Sequence, residues 1–114
     1  MHELAIAQSI VDVVEQRAHE CQAARVKAVR IQIGEASGVA TDSLTFSFAM
    51  LAGCSPILNG ARLSVECVPH RARCRHCAQD FAVKDFVLRC PICAEWSTET
   101  ISGTECQILE MEIE

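Results

Sequence analysis

The chain has 114 residues, of which 50% are hydrophobic and 22% charged, with a net charge of −5, eight cysteines and few aromatic residues (four Phe, one Trp, no Tyr). This composition excludes a disordered chain and points to one ordinary domain, or two very small units, with aliphatic cores. No apolar run approaches the roughly 20 residues of a membrane span and no basic-then-apolar leader is present, so a cytoplasmic protein without membrane insertion is expected.

The N-terminal tripeptide Met1-His2-Glu3 runs straight into an amphipathic helix, expected from His2 to about Glu20. Leu4, Ala7, Ile10, Val11, Val14 and Ala18 recur at three- and four-residue steps along it. A bulky second residue normally preserves the initiator methionine. The Met1 amine, the backbone nitrogen of His2 and the His2 imidazole can then close fused chelate rings around one ion, with Glu3 adding an oxygen or compensating charge. Nitrogen-rich tetragonal donor sets suit Cu(II) or Ni(II) better than zinc. Taken by itself, the tripeptide is weak evidence, because most histidines at a second position are simply solvated.

Val26 to Ile33 alternates, with Val29, Ile31 and Ile33 on one face, as a half-buried strand does. Gly34 to Gly38 ends it. Thr41-Asp42-Ser43 supplies capping residues for a second helix through Ala52, with Leu44, Phe48 and Leu51 inward and Gly53 as its stop. After turn material from Ser55 to Gly60, a second strand runs from Ala61 to Val68 and ends at Pro69. The last strand alternates Leu109, Met111 and Ile113 with Glu110, Glu112 and Glu114, after a polar segment at Ser97–Thr100.

Between these last two strands lie Cys74-Arg-His-Cys77 and Cys90-Pro-Ile-Cys93. Two Cys-x-x-Cys pairs at this separation are the spacing of a zinc ribbon, each pair offering two thiolates to a closed tetrahedral site. A thioredoxin-like redox motif needs one such pair near a βαβ unit, and a zinc hydrolase needs an open coordination position and a base; neither matches. So small a unit cannot fold on burial alone. Apparent binding energies of about 10–16 kcal/mol in zinc-finger peptides show how a metal substitutes for a core. In a reducing compartment the cysteines read as metal ligands and free thiols instead of disulfides. Cys21, Cys54, Cys67 and Cys106 are expected as buried thiols, His70 and His76 as solvent-facing, and Trp96 as packed on the ribbon.

The expected fold is α+β: a small two-layer sandwich of two helices on a three-stranded sheet, with an inserted Cys₄ zinc ribbon. Residues 1–68 plus 104–114 would form an α/β domain and 69–103 the ribbon domain. From His70 to Trp96 the charge is +2, set by Arg71, Arg73, Arg75, Lys84 and Arg89 against Asp80, Asp85 and Glu95; the remainder of the chain carries −7. A mildly basic ribbon allows a protein- or nucleic-acid-binding module without nickel function as a competing reading. The acidic total, the scarcity of aromatics and the lack of basic runs argue against nucleic acid.

Nearly the whole chain resembles the HypA/HybF family of hydrogenase-maturation nickel metallochaperones. The resemblance rests on Met1-His2-Glu3 followed by Leu4-Ala5-Ile6-Ala7, Ile33-Gly34-Glu35-Ala36-Ser37-Gly38-Val39, Leu44-Thr45-Phe46-Ser47-Phe48 and Gly60-Ala61-Arg62-Leu63. Cys74-x-x-Cys77, Cys90-Pro91-x-Cys93 and Ser102-Gly103 complete it. It implies a non-enzymatic protein-maturation factor that binds Ni²⁺ as cargo through His2, with the Met1 amine and Glu3 assisting. It also implies structural Zn²⁺ at the four ribbon cysteines. Delivery, from a monomer or homodimer, would run with a HypB-type GTPase to the large-subunit precursor of a nickel–iron hydrogenase, or to another nickel enzyme such as urease. The chain departs from the family at Gly53-Cys54-Ser55-Pro56, where Gly-Thr is frequent, and at Ala94-Glu95-Trp96, where Gly-Ser is usual.

Overall fold

The computed structural model describes residues 2–114; Met1, expected to supply the terminal amine, lies outside the described residues. In chain order the elements are α1 (Glu3–Glu20), β1 (Val26–Gly34), a 3₁₀ turn (Glu35–Ser37), α2 (Thr41–Ala52), β2 (Arg62–Val68), β3 (Arg71–Cys74), β4 (Asp80–Ala82), β5 (Thr98–Ser102) and β6 (Cys106–Ile113).

β1 is the middle strand of the first sheet, between β2 and β6. It pairs parallel with β2, which requires a crossover, and α2 provides it. It pairs antiparallel with β6, the strand that returns from the cysteine unit. The register lines up Val29, Ile31 and Ile33 with Leu63, Val65 and Cys67 on one side and with Met111, Ile108 and Cys106 on the other. Neighbours in register share a face, so the period-two pattern makes one apolar surface. The helices close over it with Ala7, Ile10, Val11, Val14 and Ala18 from α1 and Leu44, Phe48 and Ala52 from α2. On the opposite, wet face Arg30 bridges Glu66 at 2.8 Å and Glu110 at 3.0 Å. Exposed pairs of this kind are each worth about 1 kcal/mol at most.

A second sheet, in the order β4-β3-β5, belongs to the cysteine unit. Its core is only Ala72, Phe81 and Val83 with Cys74 and Cys90. The molecule extends to 55 × 24 × 16 Å, and among the described residues no helix is long and apolar enough to cross a membrane.

Where the chain crosses between the sheets, two glycines meet. A Cβ on Gly34 would lie 2.0 Å from the carbonyl oxygen of Gly103, and a Cβ on Gly103 would lie 2.6 Å from His70 Cα. Gly103 has φ +105°, and its carbonyl accepts the Ala36 N–H at 2.7 Å. Ser102 Oγ donates to the Pro69 carbonyl, tying the two crossing strands together.

Several expectations are corrected. Ser97–Thr100 was read as a polar segment, yet Thr98–Ser102 is β5, because pairing with β3 needs backbone groups and not apolar side chains. The alternation expected at Leu109 is interrupted by a bulge: Arg30 faces Glu110 while Ile31 faces Ile108, so Ile108 and Met111 pack on the core. α2 begins at Thr41 with Ala40 as its N-cap and no side-chain cap, so Thr41-Asp42-Ser43 forms the first turn itself. Leu4, placed on the apolar stripe of α1, is 51% exposed, because at the helix start it overhangs the packed layer. Leu58, inside a segment read as turn, is fully buried.

Candidate metal centres

Cys74 ends β3, and its chain turns back at once. The Ala78 N–H donates to the Cys74 carbonyl at 2.9 Å and the Cys74 N–H to the Gln79 carbonyl at 3.0 Å. The second loop repeats this pattern: Ala94 N–H donates to the Cys90 carbonyl at 3.0 Å and Cys90 N–H to the Glu95 carbonyl at 2.9 Å. Both turns are completed by an alanine in the left-handed region, Ala78 at φ +61° and Ala94 at φ +65°. That conformation costs a Cβ-bearing residue about 1–2 kcal/mol, which is the physical content of the Gly-to-Ala departure at position 94.

The two loops face one another. The Sγ atoms of Cys74, Cys77, Cys90 and Cys93 all lie within 4.8 Å of each other, with Cys74–Cys93 at 3.5 Å and Cys77–Cys90 at 3.7 Å. A tetrahedral ion with thiolates at about 2.3 Å sets its sulfurs about 3.8 Å apart, so the donor set fits zinc in kind and in size. Cys74 and Cys90 are buried, and Cys77 and Cys93 form the half-buried outer pair. Backbone donors support the sulfurs: His76 and Cys77 N–H groups point at Cys74 Sγ at 3.4 and 3.5 Å.

The thiols are not equivalent. The backbone N–H of Cys93, helped by that of Ile92, lowers Cys90 to about 6 against the burial that opposes it. At Cys93 the Glu95 N–H pulls downward, but burial and the hydrogen bonds to Cys74, Cys90 and Cys77 prevail and push it up to about 12. At Cys77 the Gln79 N–H likewise lowers, but burial and the hydrogen bonds to Cys90 and Cys74 outweigh it and raise the thiol. Cys90 is therefore the readiest of these three to lose its proton, and Cys77 and Cys93 hold theirs. Metal uptake expels the protons of Cys77 and Cys93, so affinity falls as pH falls. Zinc titration calorimetry at pH 7 in buffers of different ionisation enthalpy is expected to show this proton release; equal heats in all buffers would contradict it.

At the other candidate centre, His2 is exposed and serves as N-cap of α1 with φ −89° and ψ 115°. Its carbonyl accepts the Ala5 and Ile6 N–H groups at 3.1 and 3.2 Å, so the helix uses the oxygen of this residue. Its own nitrogen precedes the helical bonding pattern. Glu3, half-buried, places Oε2 3.4 Å from the Ala40 backbone nitrogen, which donates to it across 37 residues of sequence. Ala40 carries no sequence signal as a partner, since a backbone donor leaves no trace in residue identity.

The remaining expectations divide. His76 is exposed as expected, but His70 is buried at the crossing, with Nε2 3.2 Å from Thr100 Oγ1 and its ring edge-on to Phe86 at 5.8 Å. Cys21, Cys54, Cys67 and Cys106 are all exposed: a helix end, a turn and the sheet margins leave them beyond the helices' cover. Trp96 is 64% exposed, with the Arg89 guanidinium 5.9 Å over its ring, and is not packed into the ribbon.

A family model described as "HypA: Hydrogenase/urease nickel incorporation, metallochaperone, hypA" matches residues 1–113. A hydrogenase maturation factor HypA from Geobacter metallireducens is 38% identical over 114 residues, covering all of both chains. One from Streptomyces avermitilis is 42% identical over 113 residues, covering 97% of this chain and 86% of that protein. The solution structure of the Ni metallochaperone HypA from Helicobacter pylori superposes with a TM-score of 0.69 at 23% identity, covering 99% of this chain and 97% of that one, a likeness of fold.

Proposed function

We propose, from the premise that this chain belongs to the HypA family of hydrogenase and urease nickel-incorporation metallochaperones, that it carries Ni²⁺ at its N-terminus and gives it up during maturation of a nickel enzyme. The observation that carries the site assignment is the placement of His2. It is exposed, immediately before α1, with its carbonyl held by the helix and its nitrogen and imidazole outside the helical bonds. The Met1 amine, the His2 nitrogen and the His2 imidazole would hold the ion, with Glu3 assisting. Such a chelate loses ligands stepwise to protons or to an acceptor's ligands, which suits cargo.

Cys74, Cys77, Cys90 and Cys93 would hold Zn²⁺, which supplies the folding energy of the ribbon. Residues 1–68 with 104–114 are read as the nickel domain and 69–103 as the zinc domain. A HypB-type GTPase and the large-subunit precursor of a nickel–iron hydrogenase are the proposed partners, in the cytoplasm, where thiolates stay reduced. The protein is a carrier and not an enzyme. Nucleic-acid binding by the ribbon is disfavoured because two of its arginines are already engaged, Arg73 with Asp80 at 2.7 Å and Arg75 with Glu99 at 3.6 Å.

The test is nickel calorimetry on protein beginning at Met1 and on the same chain extended by Gly-Ser ahead of it. The extension keeps every side chain and removes only the amine. Affinity is expected to drop beyond the roughly 10–100-fold that loss of a mere supporting partner costs. Equal affinities would overturn the N-terminal assignment.

A further inference from the structure

Glu3 is the first residue of α1, and its carboxylate could have faced solvent or its own helix. It reaches instead to Ala40, the N-cap of α2, whose backbone N–H donates to Oε2 at 3.4 Å. Neither helix has a side-chain N-cap of its own. One carboxylate thus stands at the positive ends of two helix dipoles, in the first turn of α1 and at the N-cap of α2, a favourable place for a negative charge. Ala40 belongs to the connection from β1 that is fixed at its other end, where Ala36 N–H donates to Gly103. Between these points Val39 packs on the main core. The anchor for Glu3 is therefore itself rigid.

We propose that Glu3 is a positioning residue for the N-terminal chelate: through Ala40 N–H it fixes the first turn of α1, and with it His2, without coordinating the metal. This rests on the N-terminal nickel reading above. Holding His2 in place lowers the ordering cost of closing the chelate rings. A carboxylate recruited as ligand would have to leave two helix ends and a backbone donor.

Three variants separate the roles. Ala40→Pro removes the donor by putting a ring carbon in the place of its hydrogen; Ala40 has φ −79°, which proline fits, and the Glu3 side chain itself is unchanged. Glu3→Gln keeps an acceptor oxygen but no anionic ligand. Glu3→Ala removes both. Nickel affinity and the ligand-field absorption of the nickel complex are measured for each, on protein beginning at Met1, with helicity and melting as checks of folding. Positioning predicts that Ala40→Pro and Glu3→Ala each weaken nickel binding roughly fivefold to tenfold, and Glu3→Gln no more than about twofold. The ligand-field bands stay in place throughout.

If Glu3→Gln matches Glu3→Ala and shifts the bands while Ala40→Pro binds normally, Glu3 is a ligand and the proposal falls. Should Ala40→Pro not fold, the Gln and Ala variants decide alone. His2→Ala is the control for the underlying reading. If it binds nickel like the parent, the N-terminal site itself is wrong; if it does not bind, the outcome for Glu3 stands on its own.

Discussion

Cys90→Ser is expected to unfold the cysteine unit and leave the rest of the chain standing. Cys90 is 1% exposed, and the backbone N–H groups of Cys93 and Ile92 lower its pKa towards the thiolate that a metal needs. Without its metal the unit retains Ala72, Phe81 and Val83 as its apolar core, far below what an independent fold needs. The metal it loses is worth about 10–16 kcal/mol in comparable peptides. Both α-helices lie outside residues 69–103, so helicity should survive while amide protection in β3, β4 and β5 disappears. Hydrogen exchange together with circular dichroism reads the two parts separately. Retained protection in β3 after metal loss would show that the unit is not metal-dependent. Loss of protection in β1 as well would show that the two sheets fold as one.

Gly103→Ala is the second large effect, a destabilisation of about 3 kcal/mol or more. It adds overpacking at about 1–3 kcal/mol to the strain of a left-handed backbone with a side chain. The obstacle at 2.6 Å is His70 Cα, main chain that cannot rotate away as a side-chain tip would. Shifting it would also disturb the Ala36 N–H bond to the Gly103 carbonyl and the His70 contact with Thr100. Gly38→Ala and Gly60→Ala are the comparison: both have positive φ, but a Cβ at either meets none of the described residues within 4 Å. They should lose only about 1–2 kcal/mol. Denaturant titration of the three variants isolates the steric part; equal losses would show that close packing at the crossing contributes nothing.

What could be read from the sequence follows from what side chains record. The apolar alternation of Val29, Ile31 and Ile33 and the three-to-four spacing of Ala7, Ile10, Val11 and Val14 reported burial directly, and these residues form the core. The four ribbon cysteines were legible because metal chemistry restricts both residue type and spacing, and their sulfurs do converge. Backbone-determined features were not. β5 is a strand because β3 offers it partners, although Thr98-Glu99-Thr100 carries no apolar pattern. The bulge at Leu109 follows from pairing with β1, which a single strand does not encode. The exposed cysteines depart from the pattern because a small hydrophobe on the apolar face of a strand is buried only where a helix reaches it. Cys67 and Cys106 flank Ile33 in register, yet only Ile33 is buried. His70 is buried by the Gly34–Gly103 crossing, a contact between residues 69 apart in sequence, invisible to local pattern.

The central claim is that one chain keeps two metals at separate places, zinc at the ribbon and nickel at the N-terminus. Native mass spectrometry of zinc-loaded protein beginning at Met1, exposed to one equivalent of Ni²⁺, tests it beside His2→Ala. One zinc and one nickel are expected on the parent, and one zinc with no nickel on the variant. Nickel bound equally by both, or nickel gained only as zinc is lost, would contradict it.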